Sequence, residues 1–165
     1  MPTASVRRAS SEAILTTTLE YTRVRVAGVL KYRDQLLLVQ HRKGNRSYWL
    51  LPGGGVLLGE TLRACLEREF EEELSIRIEV GELLFVAEAS SNRRNGHILQ
   101  PTFAVSTGRI EAIQVGSDDR VVNYDFFQGD AFPGMLIYPD ISDELREYLR
   151  TGKVARKYVQ KKWLD

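Results

Sequence analysis

Three glutamates stand close together near the end of one predicted helix: Glu69, Glu72 and Glu73. Residues three and four apart are neighbours on a helix, so these side chains project from one side of it. The apolar stripe of the same helix begins beside Glu73 and comprises Leu62, Leu66, Phe70 and Leu74. At least one carboxylate therefore borders the buried face, where like charges repel strongly. A hard divalent cation, Mg²⁺ or Mn²⁺, held by carboxylate and carbonyl oxygens would relieve that repulsion.

A run of glutamates on a helix is more commonly a solvated face, because glutamate is a strong helix former. Three features favour a metal site here. The run adjoins the apolar stripe, and Arg68 precedes it as an internal cation. The loop Pro52 to Gly55 precedes the helix, and its glycines let backbone carbonyls and amides approach a ligand closely.

The segment from Gly54 to Ile76 resembles the Nudix box. The family pattern is Gly, five residues, Glu, seven residues, Arg-Glu, an aliphatic or aromatic residue, any residue, Glu-Glu, any residue, Gly and an aliphatic residue. Its places are filled by Gly54, Glu60, Arg68, Glu69, Phe70, Glu72, Glu73 and Ile76. The one departure is Ser75, where the family has a glycine that ends the helix in the left-handed conformation. Serine in that geometry would carry about 1 kcal/mol of strain.

The resemblance implies that a metal ion is held by the carboxylates of Glu69, Glu72 and Glu73 and by the carbonyl of Gly54. Such an ion neutralises phosphate charge and lowers the pKa of a bound water. Arg68 can reach Glu72 four residues on, so it is interpreted as an orienter of the carboxylates.

The family's general base is either a box glutamate or an acid from a distant loop. Outside the box, Asp118 and Asp119 are the best placed candidates, because their loop precedes a predicted strand at Val121. Glu88 and Glu111 are weaker candidates.

Cations for the substrate phosphates stand close to the box. Arg42 and Arg46 lie just before the glycine loop, and Arg25 lies on the first predicted strand. Arginine suits bidentate phosphate binding, and the backbone of Gly53 and Gly55 can contribute further contacts. Each of these arginines could equally be a solvated surface residue. His41 and His97 each lack a second histidine at ligand spacing, which disfavours a metal or triad role.

Composition is that of an ordinary globular enzyme of 165 residues, with 43% hydrophobic and 27% charged residues. A net charge of +1 points to neither nucleic acid nor a membrane surface. Cys65, the single cysteine, is expected in the core and fits a reducing cytoplasm. No apolar run reaches transmembrane length.

We predict three regions: a flexible N-terminal arm (1–18), a Nudix domain (19–152) and a basic amphipathic C-terminal extension (153–165). Strands are predicted at 21–30, 34–41, 48–51, 77–89, 98–107 and 121–127. Thr61 is expected to cap the box helix, and Ser142 to cap a second helix that stops at Gly152. The extension is predicted to be an amphipathic helix that docks on the domain or on a partner subunit, so a homodimer is possible. The predicted fold class is α+β, and the resemblance implies an α/β/α sandwich, a mixed sheet flanked by the box helix and a C-terminal helix.

The predicted function is metal-dependent hydrolysis of a small nucleoside diphosphate linked to another moiety. An ADP-sugar or a nucleoside triphosphate is the favoured substrate. The alternatives are a non-catalytic nucleotide-binding regulator with the same fold and an RNA cap hydrolase that uses the basic tail. An isoprenyl diphosphate isomerase is disfavoured, because Cys65 lies among the apolar residues of the box helix rather than in the site.

Overall fold

The protein is described by a computed structural model covering residues 22–91 and 96–162. Its strands are β1 (Arg23–Tyr32), β2 (Gln35–Lys43), β3 (Arg46–Leu50), β4 (Gly53–Gly55), β5 (Glu79–Ser91), β6 (Gly96–Ser106), β7 (Val121–Phe127) and β8 (Tyr158–Lys162). Its α-helices are α1 (Leu62–Leu74) and α2 (Ser142–Thr151). The six strands predicted from alternation and turn signals are confirmed, with ends within two residues of the prediction.

The strands form one mixed sheet in the order β3-β2-β1-β6-β5-β8, with β4 paired to β1 and β7 paired to β2. β1 runs parallel to β6 and β5 runs parallel to β8, whereas the other pairs are antiparallel. The tight β1–β2 turn is possible because Arg33 adopts a left-handed conformation, with φ of 54°.

One helix packs on each face of the sheet, which confirms the predicted sandwich. The apolar stripe of α1 is buried on one face through Leu66, Phe70 and Leu74. On the other face α2 contributes Leu145 to a second apolar cluster. The α1 layer lies so close to β1 that a Cβ on Gly28 would sit 2.7 Å from a ring carbon of Phe70. The sheet therefore fixes where the carboxylates of α1 point.

The predicted C-terminal helix is wrong, because the segment forms strand β8 alongside β5. Two of the apolar residues that suggested a helix are buried in different settings. Val154 is buried after the left-handed turn at Gly152, and Val159 is buried within the strand. The open edge of β5 offers backbone partners that an isolated helix of this length cannot match. These residues thus extend the main sheet.

Ser142 is the first residue of α2 and not its cap, since its hydroxyl bonds Asp140 Oδ1 at 3.0 Å and no backbone N–H of the helix. The predicted arm (1–18), residues 92–95 between two of the predicted strands and the last three residues of the predicted extension (163–165) lie outside the described residues. Within the described ranges, no helix is long and apolar enough to cross a membrane.

Candidate active site

Helix α1 begins and ends as the sequence predicts. The Thr61 side chain accepts a hydrogen bond from the N–H of Ala64 at 3.2 Å. At the other end Ser75 is left-handed, with φ of 56° and ψ of 29°, and its N–H bonds Glu71 O at 3.0 Å. Serine thus takes the conformation that glycine usually supplies. The departure from the box motif leaves the helix end intact.

The glycine loop is a short strand that brings bare backbone against the box helix. In β4, Gly54 pairs with Val26 and Gly53 pairs with Ala27 of β1. A Cβ on Gly54 would overlap the carboxylate of Glu69. Glycine at this position therefore creates the space in which that carboxylate lies.

Glu73 is fully buried and held by two groups from other elements. The N–H of Gly53 donates to its Oε2 at 2.9 Å, and Nε2 of His41 lies 3.3 Å from its Oε1. His41 comes from β2, 32 residues earlier in the chain. The sequence disfavours a metal or triad role for His41 because no second histidine stands at ligand spacing, whereas the fold pairs it with a carboxylate.

Glu69 combines burial with an unpartnered oxygen. Its residue surface is only 4% exposed, and Arg68 Nη1 donates to its Oε1 at 2.8 Å. Its Oε2 has no hydrogen-bond partner among the described residues. Burial raises the pKa of this carboxyl, the hydrogen bond from Arg68 opposes the rise, and the charge of Glu73 adds to it. An unpaired buried carboxylate oxygen is costly unless a cation approaches it.

Asp118 is carried to the same place by the backbone of its loop. The N–H groups of Ser117 and Asp118 both donate to Glu72 O, at 2.7 and 3.1 Å, and that of Gly116 donates to Glu73 O at 2.9 Å. These bonds satisfy carbonyls that the end of α1 leaves open. Ligand oxygens of Glu69, Glu73 and Asp118 then lie within 4.8 Å of one another.

Glu72 occupies a different position from the other box glutamates. Its side chain is 45% exposed and its Oε2 accepts from Arg68 Nη1 at 3.1 Å. Arg68 also binds Glu60, at 2.8 Å from Nε and 3.0 Å from Nη2. That contact lowers the pKa of Glu60 to about 2. Arg68 thus contacts three carboxylates, those of Glu60, Glu69 and Glu72.

The other predicted site residues take three kinds of position. Arg25 lies under the glycine loop, where its guanidinium donates to Leu51 O at 2.8 Å and Gly53 O at 2.9 Å. Arg42 and Arg46 are exposed where β2 and β3 meet. Asp119 is exposed beside Asp118. Their roles stay predictions.

Cys65 is buried in α1 and points at the glycine loop. Its thiol lies 3.5 Å from Gly55 O, and burial raises its pKa to about 12. Such a thiol stays protonated at neutral pH and is a poor nucleophile. The site therefore lacks the reactive cysteine that isomerase chemistry would need.

The clustered oxygens fit a hard divalent cation. They are carboxylates, the ligand type that Mg²⁺ and Mn²⁺ prefer. The bare backbone at Gly54 and the unpartnered Glu69 Oε2 provide both the space and the unmet charge.

Comparison with known proteins gives the class. The NUDIX domain family matches this chain over residues 22–147, so the chain belongs to the NUDIX family. An ADP-ribose pyrophosphatase from Methanocaldococcus jannaschii is 28% identical over 131 residues, spanning 77% of this chain and 73% of that protein. An RNA pyrophosphohydrolase from Coxiella burnetii is 43% identical over 54 residues, spanning 33% of this chain and 24% of that protein. In the crystal structure of a MutT NUDIX hydrolase from Burkholderia pseudomallei, 85% of that chain matches 67% of this one, with 27% identity and a TM-score of 0.58.

The predicted family and fold are therefore confirmed. With its box carboxylates all retained, the chain is a Nudix-type pyrophosphohydrolase. Nudix hydrolases act on nucleoside diphosphate derivatives and generally use divalent metals, for which the carboxylate cluster is suited.

Proposed function

We propose that this protein cleaves the diphosphate linkage of a nucleoside diphosphate joined to another group and releases a nucleoside monophosphate, with Mg²⁺ or Mn²⁺ as cofactor. The observation that carries the proposal is the buried, unpartnered Glu69 Oε2 within the group formed with Glu73 and Asp118. Three carboxylates this close repel one another, a cation between them relieves that repulsion, and a diphosphate is a substrate whose charge such a cation offsets.

In this proposal, the cation is held by Glu69, Glu73, Asp118 and the Gly54 carbonyl, with Glu72 as a further ligand or as the general base. The bound cation supplies charge neutralisation and an activated water. Arg68 fixes Glu69 and Glu72 relative to each other.

The chain's own groups then handle the proton. A carboxylate takes a proton from the attacking water, and the water oxygen bonds to one phosphorus of the diphosphate. The bridging P–O bond breaks, and its electron pair leaves with the bridging oxygen on the other phosphate group. Glu72 suits the role of base because it is open to solvent, and Asp119 is the second candidate. Arg42, Arg46 and the backbone of Gly53 and Gly55 are the proposed phosphate contacts.

An ADP-sugar is the first substrate candidate, supported by the similarity to an ADP-ribose pyrophosphatase over 77% of this chain. Nucleoside triphosphates are the second. The test is release of nucleoside monophosphate from ADP-ribose, other nucleoside diphosphate sugars and nucleoside triphosphates, with Mg²⁺, with Mn²⁺ and with EDTA.

Two glutamine variants on the same helix make a matched pair for this panel. Glu69→Gln removes charge from the cluster, whereas Glu71→Gln removes charge from an exposed position on α1. We expect turnover to fall about 100-fold or more in the first and to change less than twofold in the second. Nucleotide binding without metal and without turnover would instead support a regulator.

Hydrolysis at an RNA 5′ end is a second candidate, favoured by the local similarity to an RNA pyrophosphohydrolase. Deleting the basic tail would remove β8 and the buried Val159. A sharper test replaces the exposed cations Lys153, Arg156 and Lys162 with glutamine. If the variant loses activity on capped RNA and keeps its ADP-ribose turnover, the result supports this candidate. If the substitutions affect both activities equally, the result contradicts it.

A homodimer and a cytoplasmic location stay predictions from the sequence, and the association state can be read by light scattering.

A further inference from the structure

Arg120 is attached to the carboxylate cluster by a fork that the sequence does not predict. Its Nε lies 3.0 Å from Asp118 Oδ1, and its Nη2 lies 2.6 Å from Oδ2. The arginine side chain is 64% exposed, whereas that of Asp118 is 10% exposed. The guanidinium therefore lies on the more exposed side of a carboxylate that is close to Glu69 and Glu73.

This guanidinium neutralises the cluster from outside. Its Nε and Nη2 contact both oxygens of Asp118, the carboxylate that lies beside Glu69 and Glu73. It competes with a divalent cation for the same oxygens, because two positive centres on one carboxylate repel each other. Moving the guanidinium away breaks this ion pair, a cost that an incoming cation offsets, and the side chain stays in solvent, where most of it already lies.

Asp118 does not need the guanidinium to keep its orientation. The backbone N–H of Arg120 donates to Asp118 Oδ1 at 2.9 Å, which is an Asx-type turn. Asp118 O also accepts from Val121 N at 3.0 Å, at the start of β7. The main chain thus orients the carboxylate, so the guanidinium acts on it mainly through its positive charge.

A displaced Arg120 guanidinium would lie close to the proposed phosphate-binding residues. The residue sits beside Arg42, whose N–H donates to Arg120 O at 3.3 Å, and so joins the proposed phosphate-binding cations. Its planar fork matches two phosphate oxygens as well as it matches a carboxylate.

We propose that Arg120 exchanges partners during the reaction: it is the counter-ion of Asp118 without metal, and it binds a substrate phosphate once the cation occupies the cluster. This rests on the proposed function.

The test measures Mn²⁺ affinity by electron paramagnetic resonance, without substrate, in the wild type, Arg120→Ala, Arg120→Lys and the exposed-arginine control Arg150→Ala. Steady-state kinetics on ADP-ribose, or on the panel compound turned over fastest, follow with the same proteins. Arg120→Ala should bind Mn²⁺ about fivefold tighter, because the competing charge is gone. The KM of Arg120→Ala should rise about tenfold or more while its kcat changes less. The KM of Arg120→Lys should rise by a smaller factor, because lysine keeps the positive charge.

The two readouts separate this inference from a structural role. If Arg120 only positions Asp118, the alanine variant binds Mn²⁺ more weakly, and that result overturns the exchange. Unchanged Mn²⁺ affinity, or tighter Mn²⁺ binding with an unchanged KM, also overturns it. A wild type that turns over no compound on the panel refutes the proposed function instead, while the Mn²⁺ titration still decides whether Arg120 is a counter-ion.

Discussion

Adding one methyl group at Gly54 should disable the site without disturbing the fold. The residue has an ordinary backbone conformation, so alanine brings no φ strain. Its Cβ would, however, overlap the carboxylate of Glu69, which must retreat by more than 1 Å to reach an ordinary contact distance of about 3.4 Å. A misplacement of this size costs about 100-fold in rate. We therefore expect Gly54→Ala to lose about that much turnover and to bind Mn²⁺ more weakly.

The neighbouring glycine supplies a control for metal binding. A Cβ on Gly55 meets nothing within 4 Å, so Gly55→Ala should keep the Mn²⁺ affinity and the thermal midpoint of the wild type. A second variant tests the cause: Glu69→Asp shortens the side chain by one methylene and makes room for the new methyl group. In the Gly54→Ala background it should therefore cost less than it does alone.

Two results would refute this reasoning. Wild-type Mn²⁺ affinity in Gly54→Ala would mean that Glu69 does not bind the metal from its position against the loop. Equal losses in Gly54→Ala and Gly55→Ala would trace the effect to the backbone of the loop instead of the carboxylate.

Three further changes have expected outcomes. Gly116→Ala places a Cβ against Glu72 O and should shift the loop that carries Asp118, so Mn²⁺ binding should weaken in titrations. The control Gly108→Ala, whose Cβ meets nothing within 4 Å, should bind Mn²⁺ as the wild type does. Equal Mn²⁺ affinities of the two variants would contradict this. Ser75→Gly relieves the left-handed strain and should raise the free energy of unfolding in urea by about 1 kcal/mol, and a decrease would be contrary evidence. The pKa of Glu60 is lowered from 4.5 to about 2, so the folded state keeps this carboxylate charged where the unfolded chain takes up a proton. In urea titrations, the difference in the free energy of unfolding between the wild type and Glu60→Gln should therefore be largest above about pH 4.5 and should shrink towards pH 2. A difference that does not depend on pH would argue against the ion pair.

The sequence predicts what is local in this site. The spacing within α1 sets which side each glutamate faces, and it also places Arg68 beside Glu72, because helical neighbours are fixed by position. The glycine loop and the Thr61 cap are equally local. Alternation along the strands predicts the sheet for the same reason.

Long-range contacts were not predictable. The loop before β7 is held at the cluster by backbone hydrogen bonds to the end of α1, and no side-chain pattern in the sequence predicts those bonds. The prediction grouped Glu72 with Glu69 and Glu73, whereas the structure brings Asp118 to those two and leaves Glu72 with Arg68. His41 reaches Glu73 only because β2 and α1 meet across 32 residues.

The C-terminal segment shows the limit of periodicity. Val154, Tyr158 and Val159 match helical spacing, yet Tyr158 and Val159 pair with the edge of β5, and Val154 lies before that strand. Tertiary pairing overrides a short local pattern, because a helix of this length is marginal without packing.

The most direct test of the central claim measures Mn²⁺ binding and ADP-ribose hydrolysis across one Mn²⁺ titration, in the wild type and in Glu69→Gln. If the carboxylate cluster binds the catalytic metal, binding and turnover rise with the same midpoint in the wild type, and both are lost in the variant. Turnover that persists in EDTA, or a Glu69→Gln protein that binds Mn²⁺ and hydrolyses as the wild type does, would contradict the assignment of this site.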